Sequence, residues 1–156
     1  MENQTARIAN ATPVQLVEIT YELILEAIQQ AKEALQKKDE VIFQKQIEKA
    51  QKFLMNLMES LDMSYELSYD IMSLYLYVNK LLIQSHIQKN QEPLEQSEKI
   101  LINLEVAWKE VVKKQAESQS PVLENTQQIY AGLTYEKGTL KEAIIDPNDK
   151  KRGFQA

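Results

Sequence analysis

The sequence predicts an all-α protein, an antiparallel up-down four-helix bundle with a C-terminal extension. Three observations carry this. No glycine occurs before Gly132, and all three glycines fall in the last quarter of the 156 residues. Pro13, Pro93 and Pro121 punctuate an otherwise uninterrupted helical composition, and Pro147 sits in the tail. Apolar residues recur at helical spacing throughout, with no strand-like alternation of any length to compete.

The first helix opens at Thr12-Pro13-Val14-Gln15. This string reads as an N-cap, a proline at N1 and a capping-box glutamine at N3. The proline is tolerated there because its missing N–H would have had no partner. Leu16, Val17, Thr20, Tyr21, Ile24, Ala27, Ile28, Ala31, Ala34 and Leu35 form a broad stripe, which Ile19 and Leu23 widen. Asp39 is a natural N-cap for the second helix, whose stripe is Phe43, Ile47, Ala50, Leu54, Leu57, Met58 and Leu61, with Met55 standing off it. Ser64 is read as the cap of the third helix. Gln91-Glu92-Pro93 opens the fourth, with Leu94, Ile100, Leu101, Leu104, Ala107, Trp108 and Val111 inward. The helices run roughly over 13–37, 40–61, 65–89 and 93–116, and links this short force antiparallel neighbours. The expected division is an N-terminal arm over 1–11, the bundle over 12–116 and a weakly structured extension over 117–156.

The third helix is unusual. Four of the seven tyrosines lie in the thirteen residues from Tyr65 to Tyr77. Winding the helix at about 100° per residue places Leu67, Ile71, Leu74, Tyr75, Val78, Leu81, Leu82 and Ser85 in one arc, the core stripe. Tyr65, Tyr69, Met72, Leu76 and Ile83 form a second apolar arc. Ser68, Asn79 and His86 separate the two. A second arc at the edge of a small bundle needs a cover, from the chain itself or from a partner. On the fourth helix Ile102 and Val106 are a further surplus, lying opposite the core stripe. Together with the second arc of the third helix they predict a docking groove.

Composition narrows the function classes. Hydrophobic content of 44% with 26% charged residues suits one globular domain. The absence of cysteine excludes disulfides and thiolate zinc sites and fits a reducing cytosol. Met1-Glu2-Asn3-Gln4-Thr5 lacks the basic and apolar regions of a secretory signal, and no apolar run is long enough for a bilayer. Net charge is −5 with no basic face, which argues against nucleic acid. Phosphate-cradling loops need glycine before a helix and are absent. Di-iron bundles need Glu-x-x-His on two helices, whereas Ile83 stands three residues before His86, the sole histidine. Glu18, Glu22 and Glu26 at i, i+4 spacing read as a solvated acidic strip rather than a cation site. Neither an enzyme nor a cofactor is expected. One alternative is a histidine phosphotransfer module using His86, although such modules follow the histidine with lysine-glycine and this chain has His86-Ile87-Gln88-Lys89-Asn90. The other is a self-associating structural bundle, its surplus face covered by Ile129, Tyr130, Leu133, Tyr135, Leu140, Ile144 and Ile145 of the extension.

Four segments, in order, resemble a known family. Ala11-Thr12-Pro13-Val14-Gln15-Leu16 followed by Tyr21-Glu22 is similar to the "ASPxxL…LYD" opening of the flagellin-export chaperones, the FliS family. Leu61-Asp62-Met63-Ser64-Tyr65-Glu66 resembles the family's joint between helices two and three. Leu74-Tyr75-Leu76-Tyr77 followed by Leu82 resembles its "LYxY…L" helix, and Leu101 through Leu104 to Trp108-Lys109-Glu110 its "L…W" helix. The match runs from about Ile8 to Lys114. The chain departs from the pattern at Glu22-Leu23, where the family has aspartate and glycine, at Ser85, His86 and Asn90, and in having no tyrosine before Tyr21.

The resemblance implies a cytosolic chaperone that binds the C-terminal segment of flagellin, extended and partly helical, around the bundle. It implies that binding prevents premature polymerisation and presents the subunit to the flagellar type III export gate. Ile8 matches the apolar position preceding the first-helix cap in the family, in a mobile segment near the client path. Met1–Ala11 is therefore expected to cover part of the groove until the client displaces it. The partner-binding set is then Tyr65, Tyr69, Met72, Leu76, Ile83, Met55, Ile102, Val106 and Ile8.

Overall fold

The computed structural model describes residues 3–118, and among them every regular element is helical. Among these residues there are five helices: α1 (Gln4–Asn10), α2 (Pro13–Gln36), α3 (Glu40–Glu59), α4 (Glu66–Gln88) and α5 (Glu92–Ser118). The short α1 lies within the N-terminal arm and is capped by Asn3, whose side chain accepts from the Thr5 N–H. The four long helices form a ring of neighbours, α2 against α3 and α5, and α4 against α3 and α5.

The helix starts follow their capping chemistry, with one exception. Thr12 Oγ1 accepts from the Gln15 N–H at 3.1 Å, and Gln15 Oε1 accepts from the Thr12 N–H at 3.0 Å, closing the capping box. Asp39 Oδ1 accepts from the Ile42 N–H at 3.1 Å. Ser64 is not the cap of α4, as the sequence suggests; Tyr65 occupies that position without a side-chain cap. The serine is taken by a local turn, because Asp62 Oδ1 accepts from both its N–H and its hydroxyl. Asp62 also receives the Ser68 hydroxyl on its backbone carbonyl, which fixes the entry to α4.

Without glycine, the helix ends use lysine where the chain must turn left-handed. Lys38 has φ 60° after α2, and Lys89 has φ 53° after α4. At the first, the Asp39 N–H reaches back to the Ala34 carbonyl at 2.9 Å, the long bond of a Schellman end. A side chain with a Cβ costs about 1–2 kcal/mol in this conformation. Lys38→Gly should raise stability by about 0.5–1 kcal/mol, measured as a shifted urea midpoint at constant slope, since part of the relief is offset by the freer unfolded glycine.

The core is continuous through the ring. Trp108, Tyr21, Tyr75 and Phe43 are its largest fully buried side chains. The hydroxyls of Tyr21 on α2 and Tyr75 on α4 meet at 2.8 Å across the centre, so the two phenols satisfy each other inside apolar packing. Ile19 and Leu23 are buried, as the widened stripe of α2 requires. Leu16 and Leu74 depart from expectation, being exposed although both lie on sequence stripes. Leu16 sits in the first turn of α2, and Leu74 lies on the flank of α4 that also carries the exposed Tyr77. Lys32 Nζ on α2 meets Glu98 Oε1 on α5 at 2.9 Å, a pair mostly shielded from water, and Lys109 on α5 reaches Glu18 on α2 at 3.7 Å.

Candidate client-binding face

Two contacts decide which edge of α4 faces α3. Gln51 Nε2 on α3 donates to Asn79 Oδ1 on α4 at 2.9 Å. The His86 ring stacks on Phe43 of α3, with centroids 6.2 Å apart and planes 17° apart. Asn79 and His86 therefore point along the α3 side. Residues three or four away share that side of a helix, which places Met72, Leu76 and Ile83 along the outer lip of the α3–α4 groove. Leu76 is 54% exposed, and Ile83 is also exposed. Met72 is half-buried against the core. Tyr69 continues the lip at 60% exposure, and Tyr65, half-buried, stands at its beginning.

Met55 belongs to the same groove. It lies one turn after Gln51, whose hydrogen bond marks the α4-facing edge of α3, and it is 55% exposed. Six of the nine expected residues are thus gathered along one groove. The apolar surface extends beyond them to Ile87, more exposed than any of the six. It escaped the sequence reading because it lies one turn past the last residue of the second arc, between polar neighbours. Asn79 was assigned only to the boundary between arcs, and its bond to Gln51 has no signal in either helix alone. Tyr77 and Leu74 are exposed on the other flank of α4.

Ile102 and Val106 are placed elsewhere. Ile102 follows Glu98 by one turn and Val106 precedes Lys109 by three residues, and both of those charged groups pair with α2. The exposed Ile102 and Val106 therefore line the α2–α5 edge, across the ring from the α3–α4 groove. Ile8 is exposed on α1, which is tied to α2 through Arg7 Nη2 and Glu22 Oε1 at 3.1 Å. Between α1 and α2 lies a polar cleft of about 280 Å³, lined by Arg7, Asn10, Ala11, Gln15, Glu18 and Ile19. The alternative cover by Ile129, Tyr130, Leu133, Tyr135, Leu140, Ile144 and Ile145 lies outside the described residues.

The groove is built for apolar recognition rather than for bond chemistry. Tyr65, Tyr69, Met72, Leu76, Asn79 and Ile83 include no charged group, and the charged neighbour among them is the exposed Lys80, one turn from Leu76. His86 is half-buried against Phe43, its Nδ1 is buried without a hydrogen-bond partner, and Lys89 Nζ lies 5.6 Å from the Phe43 ring centre. That packing suits a core-edge aromatic better than a phosphoryl carrier, whose ring must turn freely toward a partner. Among the described residues no cluster of histidine, aspartate and glutamate could hold a metal ion, and no helix is long and apolar enough to cross a membrane.

The family model described as flagellar protein FliS matches residues 1–115, which takes in every helix up to the last turn of α5. No curated protein matches the chain.

Proposed function

Since this chain belongs to the FliS family of flagellar proteins, we propose that it is a cytosolic export chaperone that binds the C-terminal segment of flagellin, prevents its premature polymerisation and aids its delivery to the flagellar type III export gate. The observation that carries the binding step is the largely apolar lip of α4 beside the α3–α4 groove, left exposed at Tyr69, Leu76 and Ile83 with Met55 opposite. An amphipathic helix laid in such a groove buries one face and keeps the other in water.

The bundle reading that positions this groove is an up-down antiparallel arrangement of α2–α5. It is supported by links of three, six and three residues, counted as 37–39, 60–65 and 89–91, which leave no room for a crossover. The pairs that tie neighbours agree: Glu18 near the start of α2 meets Lys109 late in α5, and Phe43 early in α3 meets His86 late in α4. An extended client would pass from the α3–α4 groove to the second apolar edge at Ile102 and Val106, with Ile8 near its path.

Burying about six apolar side chains at roughly 1.5–3 kcal/mol each gives a gross gain on the order of 9–18 kcal/mol. Ordering a disordered segment removes about 2–5 kcal/mol, and association removes more. The remainder corresponds to an affinity between micromolar and nanomolar, tight enough to hold a client and weak enough to release it. Pull-down and titration calorimetry with the C-terminal forty or so residues of flagellin test the proposal. Because the contacts are mainly apolar, Kd should change less than about threefold between roughly 50 and 500 mM NaCl, whereas a charge-steered complex would weaken steeply. Absence of binding at both salt concentrations would remove the proposal.

A further inference from the structure

The second arc of α4 is a heptad seam interrupted by one polar residue. Tyr69, Met72, Leu76, Asn79 and Ile83 follow the alternating three- and four-residue spacing of a coiled-coil interface. Asn79 sits between Leu76 and Ile83, one turn from each, and it is half-buried. Its Oδ1 already accepts from Gln51 Nε2 at 2.9 Å, and neither side chain has another hydrogen bond among the described residues. The pair thus offers one unused amide donor group, Asn79 Nδ2, and one unused carbonyl acceptor, Gln51 Oε1, inside an otherwise apolar strip.

We propose that the Gln51–Asn79 pair sets the register of the bound client helix by hydrogen-bonding a carboxamide side chain, asparagine or glutamine, that the client carries between two apolar seam residues. The inference rests on the client-binding reading above and specifies which alignment that reading selects. While the groove is open, water satisfies the free donor and acceptor. A docked helix expels that water, and a client aliphatic residue opposite the pair leaves both groups unpaired, each at the full desolvation penalty. A client carboxylate meets the Gln51 carbonyl oxygen, and a client ammonium meets the Asn79 NH2 group, so either charge is opposed by one half of the pair. A carboxamide supplies a donor and an acceptor in one plane and answers both. The complement is the same if both amides are turned over, since one donor and one acceptor still remain.

A seam with no polar position would let an apolar helix slide by one heptad at little cost, because each aliphatic residue finds an equivalent neighbour. A single polar residue in such a seam fixes alignment at some expense of affinity. For a chaperone with a long disordered client, one alignment ensures that the same stretch is always covered.

A double-mutant cycle tests this on the full chain. The probe is the forty-residue C-terminal flagellin peptide, with each asparagine and glutamine changed singly to leucine. Each peptide is titrated against the unaltered chain and against Gln51→Leu/Asn79→Leu, with Leu76→Glu as the control for the groove. The expected result is one peptide position whose leucine variant binds the unaltered chain about tenfold more weakly yet binds the double variant at least as tightly as the native peptide does. If every position behaves alike toward both chains, the register role is overturned while client binding stands. If the native peptide fails to bind the unaltered chain, or binds the Leu76→Glu chain equally well, the groove reading falls and the inference falls with it. Circular dichroism confirms that the double variant is helical; should it unfold, Asn79→Ala replaces it, with the same coupling expected.

Discussion

Replacing Leu76 and Ile83 together by glutamate should abolish binding of the flagellin C-terminal segment and leave the helices intact. Both side chains are exposed on the lip of the α3–α4 groove, so in the free protein the two carboxylates stay in water. Docking would bury them. Each substitution forfeits about 1.5–3 kcal/mol of apolar contact, and each buried, unpaired carboxylate adds a penalty of several kcal/mol. The combined loss exceeds about 6 kcal/mol, more than four orders of magnitude in Kd. Calorimetry reads the binding, and circular dichroism with a thermal melt reads the fold. A folded double variant that binds normally would move the client site to another face. The same pair of substitutions on core residues would give the opposite signature, an unfolded chain.

Trp108→Ala should have that opposite signature. Trp108 is fully buried on α5 and belongs to the cluster that contains Tyr21 and Tyr75. Truncating a buried tryptophan costs about 3–5 kcal/mol, from lost transfer energy and from the cavity that the surrounding helices only partly fill. Against an ordinary domain stability of about 5–15 kcal/mol, this removes a large share. The urea midpoint followed by circular dichroism should fall sharply, while the slope holds if the transition stays two-state. On the proposed function, client peptide at a hundred times its Kd should restore about 2.7 kcal/mol, since a ligand specific to the folded chain stabilises it by mass action. A midpoint that barely moves would mean that α5 closes over the vacated space, at odds with the dense packing around this residue.

The division between sequence and tertiary structure follows from what periodicity measures. Spacing along a helix fixes the angle of each side chain about that helix's own axis, and local capping fixes where the helix begins. The capping box at Thr12 and Gln15, the Asp39 cap, the buried stripes of α2 and α3 and the surplus arc of α4 were therefore all readable from residues close together in the chain. The angle says nothing of which neighbour stands beyond it. Ile102 and Val106 looked like companions of the α4 arc because all were surplus apolar residues, yet the pairs Lys32–Glu98 and Glu18–Lys109 turn that edge of α5 toward α2. Leu16 and Leu74 had core periodicity, but burial also needs a partner at the right height and flank, which only the assembled ring supplies. Ser64 had the chemistry of a cap, and a competing acceptor two residues earlier, Asp62, claimed it. The lysines at Lys38 and Lys89 took left-handed positions that composition alone assigns to glycine. Most of all, Gln51 and Asn79 are twenty-eight residues apart, and each by itself is an ordinary polar residue at a helix edge. The sequence determined the helices and the face of α4 that needs a cover; the packing of α3 against α4 decided that a carboxamide pair lies within that face, because a contact between helices depends on two angles and a distance that no single helix contains.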